Sequence, residues 1–187
     1  MNDKESLARF GISSKLAYGL MFQSILVIFA AIISIWGIYE LVIQGASLIR
    51  AITNIVSLIV CIALLAYSFN AFNEKVNQEA LFVIAVASYI VLIILGLFSS
   101  TFDFKNPISL LTLITLISAI FFLHEHTKSF QSANIAMIIV VISGVLVLIF
   151  NIMGGMPWFT ALKYIIIPVT IGLTYFERVQ RGKYNFL

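Results

Sequence analysis

The sequence predicts an all-α integral membrane protein, with six transmembrane helices in a bundle of three hairpins and both termini cytoplasmic. Composition points there first: of 187 residues, 61% are hydrophobic and 10% charged. A water-soluble domain carries about 45–50% apolar and about 25% charged residues, so this chain has too little polarity to cover a water-facing surface. Mean hydropathy is accordingly high, at +1.09. The second observation is length. Charge-free stretches recur at about 17–25 residues, which a helix rising about 1.5 Å per residue needs to cross roughly 30 Å of hydrocarbon. The third is the distribution of basic residues, which sets the orientation.

The first span is expected over Leu16–Val42, behind a polar stretch holding Lys4, Arg9 and Lys15. Its apolar run is too long for a secretory h-region of about 7–15 residues, and no small-x-small cleavage site follows, so it reads as a mature span. Residues 1–15 form a short cytoplasmic tail in which Leu7, Phe10 and Ser14 share a helical face, suited to a short interfacial helix. Gln44-Gly45 and Arg50 break the pattern before a second span over Ala51–Phe72. Asn73-Glu74-Lys75 separates it from the third, Ala80–Phe98, and Asp103 to Pro107 precedes the fourth, Ile108–Leu123. That fourth span is short: about 16 residues give about 24 Å, so it needs a locally thin bilayer or residues borrowed from Phe102–Phe104. His124 to Lys128 forms the next turn, and the fifth span covers Ala133–Ile152. Gly154-Gly155-Met156-Pro157 turns the chain into the sixth, Phe159–Phe176. The membrane domain is thus 16–176, with 177–187 as a cytoplasmic tail.

With both ends inside, Lys4, Arg9, Lys15, Lys75, Lys128, Arg178, Arg181 and Lys183 are cytoplasmic, and only Arg50, Lys105 and Lys163 are outside. This matches the positive-inside bias. Trp36 and Trp158 then fall at the outer interface, and Tyr18, Tyr67, Phe122 and Tyr175 at the inner one, where amphipathic rings are favoured. Lys163, about one turn inside the last span, is expected to snorkel outward. Isoleucine- and phenylalanine-rich spans with short turns fit a bacterial inner-membrane protein. Tyr67-Ser68-Phe69-Asn70, Phe121-Phe122-Leu123-His124 and Thr174-Tyr175-Phe176-Glu177 recur every 53 or 54 residues, as three hairpins of one ancestral pattern would.

Several chemistries are disfavoured. The 11 basic and 8 acidic residues give a net charge of +3 without a basic stripe, which argues against nucleic acid. A lone Cys61 leaves no partner for an intramolecular disulfide or a cysteine zinc site. No Asp, Glu, Lys or Arg stands at mid-depth, and Glu40 and Glu177 are assigned to the solvated headgroup layer, which weakens a proton-driven mechanism. Ser143-Gly144 lacks the preceding glycine of a serine elbow, and no carboxylate pair occupies the spans, so no enzyme, cofactor or metal is assigned. His124 and His126 flank Glu125; on a helix they diverge, and only an extended turn would align them as a metal- or pH-responsive pair.

What remains is a set of small and hydroxyl residues. Asn54, Ser57, Cys61 and Ser68 fall at spacings of three, four and seven on the second span, and Thr53, Ser57 and Cys61 form a small-xxx-small ridge suited to helix packing or pore lining. Ser88, Tyr89, Thr112, Thr115, Ser143, Pro168 and Thr170 lie near mid-depth on the later spans. If they converge, they line a small neutral cavity; otherwise each bonds a neighbouring helix. Tyr89 is the most informative, because an unpaired buried hydroxyl costs about 2–7 kcal/mol. Pro168 frees the carbonyl of Tyr164 and kinks its helix.

The first functional expectation is a non-enzymatic membrane protein acting through helix–helix association, in self-association or with another membrane subunit. The second is a permease or membrane-embedded substrate-binding subunit for a small neutral solute; the third is an oligomeric ion channel lined by the Asn54 stripe. In size and span number the chain is similar to substrate-binding subunits of bacterial vitamin-uptake transporters, a likeness of architecture without a shared motif.

Overall fold

Local chemistry decides where each helix starts and stops in the computed structural model, which describes residues 14–45, 48–70, 77–99, 103 and 105–180. Helix α1 (Ser14–Gln44) ends at Gly45, whose φ of 66° is left-handed and suits a residue without Cβ. Helices α2 (Leu48–Asn70) and α3 (Gln78–Ser99) follow. Helix α4 (Pro107–Glu125) opens on an Asn106 cap whose Oδ1 accepts from Ile108 N at 2.9 Å, with Pro107 at its first position. Helix α5 (Phe130–Met153) is capped by Ser129, and Gly155 at φ 90° turns the chain after it. The last crossing is broken into α6 (Trp158–Ala161) and α7 (Lys163–Gln180).

Among the described residues, six segments are long and apolar enough to span a membrane, with Trp158–Gln180 counted as one. The fourth gains its length at the far end from the one anticipated. Asn106 and Pro107 fix its start, and it runs on through His124 to Glu125, so 19 residues span about 28 Å without Phe102 or Phe104. Those two phenylalanines, like the anticipated interfacial helix up to residue 13, lie outside the described residues. The last helix also outruns its expected end at 176: α7 continues to Gln180, and 181–187 lies outside the described residues.

The helices form a closed ring in chain order. Each long helix packs on the next, and α7 closes the ring by packing on both α5 and α1, leaning inward to touch α2 and α3 as well. It belongs to the most buried of the six segments. The pairings α2–α3 and α4–α5 are more extensive than α3–α4 and α5–α7.

The opposite end is filled by aromatic rings. Tyr67, Phe82, Phe122 and Tyr175 are all buried there. Phe122 meets Tyr175 edge-on at 5.1 Å, and Phe82 meets Phe122 at 6.2 Å. This corrects the expectation that Tyr67, Phe122 and Tyr175 sit as interfacial rings: all three recurrent motifs contribute a core residue instead. Their helical register turns them inward. Trp36 and Trp158, at the cavity end, are exposed. The exterior is otherwise apolar, with Ile25, Ile32, Ile117 and Ile142 each more than half exposed.

Candidate functional site: a polar cavity at one end of the ring

A cavity of about 560 Å³ reaches from Tyr89 and Thr115 to the turn residues Asn106, Met156 and Pro157. Ile33, Leu92, Ile93 and Val147 supply apolar wall; Asn54, Tyr89, Thr112 and Thr115 supply polar groups; Glu40, Arg50 and Lys163 supply charge. Its volume falls in the range of about 300–1,000 Å³ usual for small-molecule sites.

Four of the nine residues singled out as cavity or pore lining stand in that wall. Asn54 presses on α1 so closely that a Cβ on Gly37 would lie 2.8 Å from its Nδ2. Its Oδ1 accepts a hydrogen bond from Lys163 Nζ at 3.2 Å. Tyr89 is a buried residue that lines the cavity, and among the described residues its hydroxyl has no hydrogen-bond partner, which leaves that group to whatever fills the space. Thr112 donates to the Ile108 carbonyl at 2.7 Å, and Thr115 donates to Ser143 at 2.7 Å.

The other five are used elsewhere. Ser57 shares a 2.8 Å hydrogen bond with Ser34, joining α1 to α2. Ser143 is taken up by Thr115 and by the Ile139 and Val140 carbonyls, and Thr170 by the Ile166 and Ile167 carbonyls. Ser88 is half-buried on α3 outside the cavity wall. Pro168 is buried against α5: a Cβ on Gly144 would meet the Tyr164 carbonyl oxygen at 2.7 Å and Pro168 Cγ at 3.5 Å. The carbonyl freed by Pro168 is therefore covered by the backbone of Gly144, a contact only glycine permits.

Two placements of charge depart from expectation. Lys163 does not snorkel outward; it is half-buried in the cavity wall, which makes that wall cationic rather than neutral. Glu177 is not solvated but buried, accepting a hydrogen bond from the Tyr67 hydroxyl. Register explains both. Lys163, Ile167, Thr170, Thr174 and Glu177 follow one another at steps of three and four, so they share the inward stripe of α7. Depth along the span, taken alone, does not reveal that stripe.

A polar network that sequence reasoning misses closes the opposite end. Gln23, buried in the first span, donates to Thr174 Oγ1 at 2.5 Å and to Ser68 Oγ at 3.4 Å. An amide in a long apolar run is the signal that could have found it. Arg178 pairs with Glu79 and lies over the rings of Tyr67, at 5.8 Å, and Phe82, at 5.4 Å. His126 joins the same network, its Nε2 3.2 Å from Glu79 Oε1 and its Nδ1 2.6 Å from the Leu123 carbonyl. His124 points elsewhere, exposed between Glu125 and Lys128 at 2.7 Å from each. The two histidines thus diverge, because the helix persists through His124 and ends only at His126. Among the described residues no group of His, Cys, Asp and Glu is arranged to hold a metal ion.

Comparison of the chain with protein-family models, with curated proteins and with solved structures yields no match.

Proposed function

We propose that this chain is a multi-pass membrane protein that holds a small solute in the cavity between its helices, as a permease or as the membrane-embedded binding subunit of a transporter. The observation that carries this reading is Tyr89, which lines a cavity of about 560 Å³ with a hydroxyl that has no protein partner among the described residues. In this reading the bundle sits in a bacterial inner membrane, its aromatic and ionic end and both termini face the cytoplasm, and the cavity opens outward. The basic-residue bias and the exposed Trp36 and Trp158 at the cavity end support that orientation. We assign it no catalysis.

Helix–helix association is less favoured because the small and hydroxyl residues that suggested it are engaged inside one chain: Ser34 with Ser57, Thr115 with Ser143, and Gly144 with Tyr164. The Asn54 stripe likewise faces α1 and Lys163 rather than an outside symmetry axis.

The test is a thermal-unfolding screen of the purified protein in neutral-lipid nanodiscs against anionic, neutral and cationic small solutes, with Gly96→Phe as the control. Gly96 lines the cavity, and no described residue lies within 4 Å of where its side chain would start. The expected result is a solute class that raises the wild-type midpoint and leaves Gly96→Phe unmoved. Equal shifts in both proteins, or none in either across all classes, would contradict the reading.

A further inference from the structure

We infer that the solute is an anion: a small molecule carrying a carboxylate or similar acidic group on an apolar body. This deepens, and rests on, the solute-cavity reading above. Lys163 reaches into the cavity wall half-buried, and among the described residues no carboxylate lies within ion-pair distance of it. Its protein contacts are the neutral Asn54 amide at 3.2 Å and the face of the Tyr164 ring at 5.8 Å. An ammonium carries more N–H donors than one amide oxygen can use, and a poorly solvated charge is costly until an opposite charge meets it. Arg50 lines the same cavity. Among the described residues Glu40 is the one carboxylate of the wall, where it accepts from the Trp36 indole at 2.7 Å, and the described lining carries two cations and one anion.

The arrangement is amphipathic as well as basic. Lys163, Arg50 and Asn54 gather toward the turns, whereas Ile33, Leu92, Ile93 and Val147 form apolar wall. An acidic group held at Lys163 would leave its apolar body against these side chains and any hydroxyl within reach of Tyr89 or Thr115. A free organic anion and the headgroup of an anionic lipid offer the same chemistry.

Two charged thiol reagents read the sign of the cavity directly. In a Cys61→Ala background, Thr112→Cys places one thiol in the cavity wall. Its modification by a sulfonate-bearing and by a trimethylammonium-bearing methanethiosulfonate is timed in phosphatidylcholine nanodiscs, each rate normalised to that of a free thiol. A net excess of one sign of charge in a cleft concentrates the opposite ion, so the anionic reagent is expected to be favoured by about tenfold, the low end for clefts lined by one sign alone. Lys163→Gln should bring the two rates within about twofold, and Lys163→Arg should restore the preference. Arg50→Gln, at an exposed position, gives a second reading should Lys163→Gln fail to fold, and it should reduce the preference. Millimolar hexanoate should slow labelling where hexanol does not.

Repeating the assay in phosphatidylglycerol separates the sources. An anionic surface attracts the trimethylammonium reagent, so slowed labelling by that reagent identifies a lipid headgroup in the cavity, whereas labelling not slowed, together with protection by hexanoate, identifies a free anion; either supports the inference. Comparable rates for both reagents, or a preference untouched by both neutralising variants, would overturn it while leaving a wet cavity. Failure of both reagents to react would overturn the solute cavity itself.

Discussion

At Gly144 a hydrogen stands where no methyl fits. Pro168 cannot donate to the Tyr164 carbonyl, and that oxygen lies 2.7 Å from where a Gly144 Cβ would be. Because the obstacle is backbone, Gly144→Ala should destabilise the protein by about 1–3 kcal/mol, the usual cost of overpacking. Gly96→Ala meets no described residue within 4 Å and should be neutral or slightly stabilising. Chemical unfolding of both variants in detergent checks the contrast; equal stabilities would contradict the close approach of α5 and α7. Pro168 is legible in the sequence as a kink with a freed acceptor. What covers that acceptor is not, since it lies on another helix. Tyr89 is likewise legible as a hydroxyl needing a partner or a void, but only tertiary packing decides which.

At the scale of the helix, the spans are legible because length and apolarity are properties of one segment. The 31 residues of α1 and the 24 of α5 announce themselves without reference to any neighbour. The direction of a face is harder to read when nearly every residue is apolar. Depth puts Lys163 and Glu177 in the headgroup layers, and only their register through Thr170 turns both inward. That register gives α7 a polar inner stripe joining the cavity to the opposite network. There, Arg178 is buried while its partner Glu79 is partly exposed. Glu79→Gln leaves the guanidinium without that carboxylate, and the loss should fall at the low end of the roughly 3–5 kcal/mol seen when buried pairs are broken. Ser143→Ala removes only a neutral bond between α4 and α5 and should cost about 0.6 kcal/mol. Equilibrium unfolding ranks the two; a Ser143→Ala effect as large as that of Glu79→Gln would contradict this division of roles.

On the scale of the molecule, the ring has two unlike ends: one packed with aromatic rings and ion pairs, the other open around Lys163. Placed in a bilayer with the closed end inward, both tips of the chain are cytoplasmic. Reporter fusions at either terminus should therefore be active only as cytoplasmic reporters, and activity on opposite faces would contradict the orientation. The most direct test of the whole account is thiol accessibility along α4 in Cys61→Ala membranes. Ser109 and Thr112 line the cavity, whereas Ile117 and Ile120 are the more exposed residues, on the outer face. With lipid around the bundle and water within it, cysteine at 109 or 112 reacts with a membrane-impermeant reagent, and cysteine at 117 or 120 does not. Rapid reaction at 117 and 120 with silence at 109 and 112 would mean that water lies outside the ring and none within.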